Sequence, residues 1–305
     1  MPPLVSIIIP SYNQGKYIRE TIDSTLSQDY RPIEILVYDG ASKDETVDVL
    51  RSYGDIPELQ WWSEPDKGVV DAVNKGLAKA RGEIQAIQSS DDVYLPGAIT
   101  RAVHAFQDNV GLVYGDVDYI DANSVKTAET NLPPFDLAQY VGKLTFIPQP
   151  AAFFTKEAAG KAGPWQAHVS YAADADFYLR IATHFRTVKI DAVLAQYRYH
   201  EEQRDRAGAK IARDWQKTIE EWLAREDPSP DLRKRARAGI HLTNAHYMSD
   251  AQWPARTLEL YRALLIDPSL FRRDDFMRRE LIPGRTPIWR VLSKIKRAMG
   301  FAPRT

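Results

Sequence analysis

The chain has 305 residues, with 40 Lys and Arg against 41 Asp and Glu and a formal net charge of -1; this balance gives no global reason to expect nucleic acid as a partner. It contains no cysteine, which excludes disulfides, thiolate zinc sites and a cysteine nucleophile, and fits a reducing compartment. Its 44% hydrophobic and 27% charged residues are the proportions of a soluble globular protein, no apolar run approaches the ~20 residues of a membrane span, and with no basic signal-peptide region before its first strand-like run a cytoplasmic protein is expected.

The first half alternates strand and helix signals. Leu4-Val5-Ser6-Ile7-Ile8-Ile9 reads as a strand buried on both faces. Pro10-Ser11-Tyr12-Asn13-Gln14-Gly15 is turn chemistry. Ile18, Ile22 and Leu26 then recur at spacing four on one face of a helix. A second strand, Ile33-Glu34-Ile35-Leu36-Val37-Tyr38, ends at Asp39-Gly40, and Asp44 or Ser42 is placed to cap the next helix. A third strand, Leu59-Gln60-Trp61-Trp62, leads through Glu64-Pro65-Asp66-Lys67-Gly68 into a helix over 69–80. A fourth strand, 84–88, runs into Ser89-Ser90-Asp91-Asp92, followed by a helix near 96–106 and a strand over 111–114. Alternation of this kind predicts an α/β fold, a mainly parallel Rossmann-like sheet flanked by helices.

From about 116 to 200 the alternation weakens. Strand-like pieces remain at 151–154 and 188–194, with a helix over 174–185 between them. Beyond residue 201 the chain is charged and helical, over 211–225, 232–248 and 253–265. We expect an α/β domain over 1–204 and a helical C-terminal extension over 205–305.

Asp91 and Asp92 carry the most chemical information. A strand-like run delivers adjacent carboxylates to a sheet edge, where they can hold Mg²⁺ or Mn²⁺ together with substrate phosphates. Two acids capping a helix explain the pair less well, because adjacent carboxylates repel unless a cation or solvent separates them. Asp116-Val117-Asp118 also follows a strand-like run, and position alone does not choose between the two sites. Asp39 ends another strand, at the edge where α/β sheets bind ligands. Its alternative role is a turn residue, since Asp-Gly is a common turn pair. Lys67 precedes a helix start suited to an anion.

Val5-Ser6-Ile7-Ile8-Ile9-Pro10-Ser11-Tyr12-Asn13, Asp39-Gly40-Ala41-Ser42-Lys43-Asp44-Glu45-Thr46, Ser63-Glu64-Pro65-Asp66-Lys67-Gly68, Asp71-Ala72-Val73-Asn74-Lys75-Gly76 and Ser90-Asp91-Asp92 occur in that order. Together these five segments resemble family 2 glycosyltransferases, of the inverting, nucleotide-sugar-dependent GT-A type. The likeness spans roughly 4–200 and departs from the family's habit at Ala41, more often Ser, and at Glu45, more often Gly. It implies a GT-A fold and a nucleotide-sugar donor bound by Pro10, Ser11, Tyr12, Asn13, Asp39, Asp66, Lys67, Asn74, Lys75 and Asp91. It implies Mn²⁺ or Mg²⁺ held by Asp92 and Asp91, with His200 as a further ligand from Gln196-Tyr197-Arg198-Tyr199-His200. It puts Gln149 toward the acceptor and Asp116 near the donor sugar or the acceptor. It also makes Asp174, at the start of Asp174-Ala175-Asp176-Phe177, the catalytic base, although Ala173 stands where the family often has Glu. Asp176 and Arg180 are spaced for an i,i+4 pair.

The resemblance implies a UDP-linked donor and a saccharide or lipid-linked acceptor in cell-surface polysaccharide synthesis. Two rivals are a nucleotidyltransferase and a non-catalytic GT-A-like binding module. The place after the first strand holds Pro10-Ser11-Tyr12-Asn13, not a phosphate-binding glycine loop. Residues 285–305 carry six basic residues and no acids, with Ile288, Leu292, Ile295 and Met299 on one helical face. That pattern suits an anionic membrane surface or a packed terminal helix.

Overall fold

The computed structural model describes residues 2–200 and 207–281. Its elements run β1 (Val5–Ser11), α1 (Ile18–Leu26), β2 (Ile33–Asp39), α2 (Thr46–Arg51), β3 (Leu59–Ser63), α3 (Val69–Lys79), β4 (Ile84–Ile87), β5 (Val93–Tyr94), α4 (Ala98–Ala105), β6 (Val110–Ile120) and β7 (Lys126–Glu129). They continue with α5 (Leu137–Val141), β8 (Ala152–Thr155), α6 (Lys156–Ala162), α7 (Ala173–His184), β9 (Arg186–Arg198), α8 (Gly208–Glu226), α9 (Pro230–His246), α10 (Trp253–Ile266), α11 (Leu270–Arg273) and α12 (Asp275–Leu281). Contacts divide the chain into two compact units, Met1–Phe135 with Phe146–Arg204, and Asp136–Thr145 with Asp205–Thr305.

Among the described residues the first unit is built on one sheet, ordered β3-β2-β1-β4-β8-β6-β9-β5, with β7 paired to β6. The half from β3 to β4 is parallel. β8 then pairs antiparallel with both β4 and β6, while β6 and β9 run parallel. The sheet is therefore mixed beyond β4. Ile7 and Ile9 of β1 face one side and pack in a cluster with Ile18 and Ile22 of α1. Ile8 faces the other side, and a Cβ added at Gly76 of α3 would lie 2.2 Å from its Cγ2. Helices thus cover both faces, and the glycine lets α3 rest on β1. This explains why the first strand is a continuous apolar run with no polar face.

β6 and β9 extend further than their apolar cores suggest, to 11 and 13 residues. Gly115, Asp116 and Asp118 interrupt the apolar pattern of β6, but the backbone ladder to β9 continues past them with register shifts. In the second unit, Trp215, Ile219 and Trp222 of α8 are buried. Ala238, Leu242 and Ala245 of α9 pack with Leu260 and Ala263 of α10 and with Leu270 and Met277. Pro230 opens α9 while the Ser229 hydroxyl accepts from the Leu232 N–H, a proline start with a side-chain cap. Among the described residues no helix is long and apolar enough to cross a membrane. The basic stretch 285–305 lies outside the described residues.

Candidate active site

The parallel strands end together, and their loops are tied to one another. Ser11 and Asp39 are register partners at the last rung of β1 and β2. Asn13, in the left-handed region at φ 53, receives Lys43 N–H on its Oδ1 at 2.9 Å, and its own N–H donates to Ser42 Oγ at 2.7 Å. Gln14 N–H donates to Thr46 Oγ1, and Gly15 N–H to Asp44 Oδ2. Burial alone would raise the Asp44 carboxyl, but bonds from the Thr46 hydroxyl and the Gly15 and Thr46 N–H groups outweigh it and hold the carboxyl below its ordinary value. Tyr12 projects from this stitched pair of loops and is exposed.

Asp39 is buried. Its Oδ2 accepts from Ser42 N–H at 3.0 Å and from the Ser63 hydroxyl at 2.6 Å, and its Oδ1 from the Ser42 hydroxyl. A carboxylate has about four acceptor positions, so one more donor can be taken. Asp66 lies against the same loop: a Cβ at Gly40 would come 2.9 Å from its Oδ2, so a larger residue there would push the Asp66 carboxylate aside. Asp66 Oδ1 accepts from Gly68 N–H at 2.7 Å, where Gly68 opens α3 at φ 99.

Lys67 is exposed beside this helix start. Two other residues on α3 have partners within the protein. The Asn74 amide makes two bonds to the Trp165 backbone, at 3.0 and 2.8 Å. Lys75 is 2.8 Å from Glu64 and 3.3 Å from Asp71, and the bond to Glu64 raises its pKa.

Asp91 and Asp92 follow β4 and are buried. Asp91 Oδ2 is 2.9 Å from His200 Nε2. Asp92 Oδ1 accepts from Arg198 N–H at 2.8 Å, and Asp92 O accepts from the Thr21 hydroxyl at 2.8 Å. On the other side the Gln149 amide donates to Ile87 O and accepts from the Ser89 hydroxyl. Asp91 and His200, two of the metal candidates of the sequence, therefore meet although 109 positions separate them, while the Asp92 carboxylate is engaged by the Arg198 N–H.

A carboxylate oxygen and an imidazole nitrogen are donor types a divalent cation can take; here Asp91 Oδ2 and His200 Nε2 are in direct hydrogen-bond contact at 2.9 Å. Among the described residues no group of three or more acids and histidines is placed to hold a metal ion by itself. A Mg²⁺-type site uses one or two carboxylates and leaves its other positions to phosphate and water.

Asp174 is half-buried in the first turn of α7. Tyr178 follows one turn later, fully buried; burial pushes its hydroxyl well up, and Asp174 and Tyr94 add to the shift. Burial likewise raises Tyr94, with Asp92 adding. Asp176 is bound by Arg180 at 3.0 and 2.7 Å, and that guanidinium also covers the Ala162, Gly163 and Pro164 carbonyls.

Asp116 is placed differently. It lies within the β6–β9 ladder opposite Val193. Its Oδ1 accepts from Thr130 and from Leu132 N–H, and its Oδ2 pairs with Lys189 at 2.7 Å. Tyr114, two residues earlier, is pushed up to about 12 by burial and then by Asp116. Three residues not assigned a role from sequence, Tyr17, Glu20 and Thr21, also shape the site, together with Arg198 of the Gln196–His200 segment. The one available signal was Thr21, a polar residue in the buried stripe of Ile18, Thr21, Ile22 and Thr25.

A family model for glycosyl transferase family 2 matches residues 6–160. An uncharacterized glycosyltransferase of Mycobacterium tuberculosis is 33% identical over 202 residues, covering 64% of this chain and 75% of that protein. One of Rickettsia felis is 42% identical over 124 residues, covering 39% of this chain and 20% of that protein. The matches span between 18% and 39% of the length of the Rickettsia relatives. Among solved structures, S. aureus TarS 1-349 in complex with UDP-GlcNAc has a TM-score of 0.67 at 16% identity, covering 98% of this chain and 93% of that one. The mannosyltransferase PcManGT of Pyrobaculum calidifontis, in complex with GDP-Man and Mn2+, has a TM-score of 0.63 at 20% identity, covering 99% and 86%. At these identities the structural likeness establishes the GT-A fold. The chain belongs to glycosyltransferase family 2.

Proposed function

We propose that this glycosyltransferase moves a sugar, with inversion, from a nucleoside-diphosphate sugar, UDP-linked, to a hydroxyl of a saccharide or lipid-linked saccharide acceptor in cell-surface polysaccharide synthesis. The observation that supports the donor half is the Asp91–His200 contact after β4, on the sheet edge where the parallel strands β1 and β2 end at Ser11 and Asp39. Asp39 keeps one acceptor position for a base N–H such as uracil N3. Pro10, Ser11, Tyr12 and Asn13 form the neighbouring wall, and Asp66 lies against Gly40. Lys67 supplies an exposed cation at the start of α3. Asn74 and Lys75 serve by fixing α3 to Trp165 and Glu64.

Asp91, Asp92 and His200 would hold Mn²⁺ or Mg²⁺. When bound, such an ion neutralises the diphosphate and stabilises it as a leaving group. Asp174 accepts the proton of the acceptor hydroxyl as its oxygen bonds to the anomeric carbon and the bond from that carbon to phosphate breaks. Attack opposite the leaving group inverts the anomer. Gln149 orients the β4 end from the acceptor side, and Asp116 braces β6 through Lys189.

The test is a thermal-shift screen of nucleoside diphosphates and nucleotide sugars with and without Mn²⁺, since a ligand of the native state raises its melting temperature. A Mn²⁺-dependent rise with UDP compounds is expected, and no rise with any nucleotide overturns the donor reading. NMR of the product should show the inverted anomer; a retained one overturns the mechanism. Residues 285–305 are proposed to bring the enzyme to an anionic membrane surface, where each Lys or Arg gains about 1 kcal/mol. Flotation with anionic liposomes should recover the full chain and lose recovery on truncation before Arg285 or at high salt. Equal, poor flotation of both chains at low salt removes the membrane claim.

A further inference from the structure

Arg198 stands immediately beside the acidic pair, yet its guanidinium is turned into the protein. Its side chain is 1% exposed. Nε donates to Asp91 O at 2.7 Å, Nη1 to Asp121 O at 3.1 Å and to Ser124 Oγ at 2.9 Å, and Nη2 to Glu20 Oε2 at 2.6 Å. The backbone N–H of the same residue holds Asp92 Oδ1 at 2.8 Å. One arginine therefore grips both residues of the acidic pair, the first by its carbonyl and the second by its carboxylate. It ties them to α1 through Glu20 and to the β6–β7 turn through Asp121 and Ser124.

The cation also lies 4.7 Å from the Tyr17 ring centroid, and the same ring sits 5.1 Å from His200. Tyr17 is thus a shared platform for Arg198 and for the histidine that meets Asp91. An arginine that binds a diphosphate directly presents its planar fork to the ligand for bidentate contact. Here the fork is occupied by carbonyl, hydroxyl and carboxylate acceptors of the protein.

We propose that Arg198 is the positioning residue of the Asp91–Asp92–His200 group, acting on cation and donor through those three residues and not by contact with phosphate. This rests on the cation reading above. Partners that orient metal ligands typically change metal affinity by 10–100-fold when altered. Lysine cannot replace arginine here, because it lacks Nε and the fixed fork and so cannot reach Asp91 O and Glu20 together.

The test uses the full chain with Mn²⁺ as probe, titrated against saturating UDP and, separately, GDP, with bound Mn²⁺ followed by electron paramagnetic resonance. Melting temperature without metal is recorded in parallel. Arg198→Lys should weaken Mn²⁺ binding by ~10-fold or more and lower kcat at fixed Mn²⁺, while leaving KM for the acceptor unchanged. Glu20→Gln alters a 43% exposed carboxylate, so the fold survives; it should weaken Mn²⁺ binding in the same direction by a smaller factor. Folded variants with wild-type Mn²⁺ affinity overturn the inference, even if their melting temperatures fall, because that is the signature of a brace alone. A wild-type chain that binds no Mn²⁺ with either nucleotide overturns the cation reading and the inference together.

Discussion

The two ends of β2 carry the same chemistry in opposite states. Glu34 near its start and Asp39 at its finish are each 2% exposed. Glu34 is closed off by the protein: the Ser6 hydroxyl donates at 2.6 Å, Arg81 N–H at 2.7 Å and Arg81 Nε at 2.8 Å, with the Arg81 Nη2 ion pair at 2.7 Å. Gly82 N–H joins by donating to Ser6 Oγ at 2.8 Å. Asp39 receives only hydroxyls and one N–H, from Ser42 and Ser63, and has no ion pair among the described residues. A buried carboxylate with a cation is a fixture of the fold. One held by neutral donors, at the edge where such sheets bind ligands, keeps capacity for another partner. The contrast extends along both edges, with the Asp91–Asp92–His200 group on the Asp39 side. It predicts that substitutions at the carboxyl edge cost turnover and those at the amino edge cost stability.

The strongest attempt to break this contrast is at Asp174. Asp174→Asn should lower kcat by ~10²-fold or more, the usual size of a general-base contribution, with donor affinity and melting temperature near wild type. Turnover within a few-fold of wild type would remove the base assignment. A large fall in melting temperature would make Asp174 a fixture of the Glu34 kind.

Glu34→Gln reverses the pattern. It should cost about 2 kcal/mol of stability, the scale of hydrogen bonds to a charged group, with kcat unchanged. Burial would raise the Glu34 carboxyl, but the bonds from Ser6 and from the Arg81 backbone and side chain outweigh it and hold it below its ordinary value of 4.5. A carboxyl lowered on folding contributes stability that is present above its unfolded value and is lost as pH falls through its folded value. Urea unfolding from about pH 6 downward should therefore show a shallower acid loss in Glu34→Gln than in wild type. Parallel acid profiles would show that Glu34 is not among the groups responsible.

What could be read without coordinates follows the same divide. β1 and β2 announce themselves because strands buried on both faces need unbroken apolar runs, and the acids after β2 and β4 are legible because each ends such a run. The longer reach of β6 and β9 was hidden, since Asp116 interrupts the apolar pattern and is made tolerable by Thr130, the Leu132 N–H and Lys189, from 14 to 73 positions further on. The Glu20–Arg198 contact joins residues 178 apart, and Asn74 meets Trp165 across 91. Contacts of that kind leave no local spacing to detect. Asn74 and Lys75 could be placed beside the cleft by motif, but not the backbone and carboxylates that their side chains would take.

The smallest effect concerns backbone strain in the loop below Asp39. Ala41 sits at φ 59, a left-handed conformation that costs an L-residue roughly 1–2 kcal/mol and that alanine has no polar side chain to offset. The position is held because Asp39 fixes Ser42 on one side and Asn13 bonds to Ser42 and Lys43 on the other. Glycine adopts the same conformation freely but gives the unfolded chain more entropy to lose, a penalty of about 0.4–1 kcal/mol. Ala41→Gly should therefore stabilise by roughly half a kcal/mol, the difference between these two contributions. Ala80, beside the Glu34 edge at an ordinary φ of -59, is the control: Ala80→Gly loses entropy with no strain to relieve and should destabilise by about 0.5–1 kcal/mol. Opposite signs in paired denaturant titrations would place the stored strain at the carboxyl edge, where the site lies. Equal losses at both positions would mean that the Ala41 loop is not strained in solution, and the two edges would then differ in their charge partners alone.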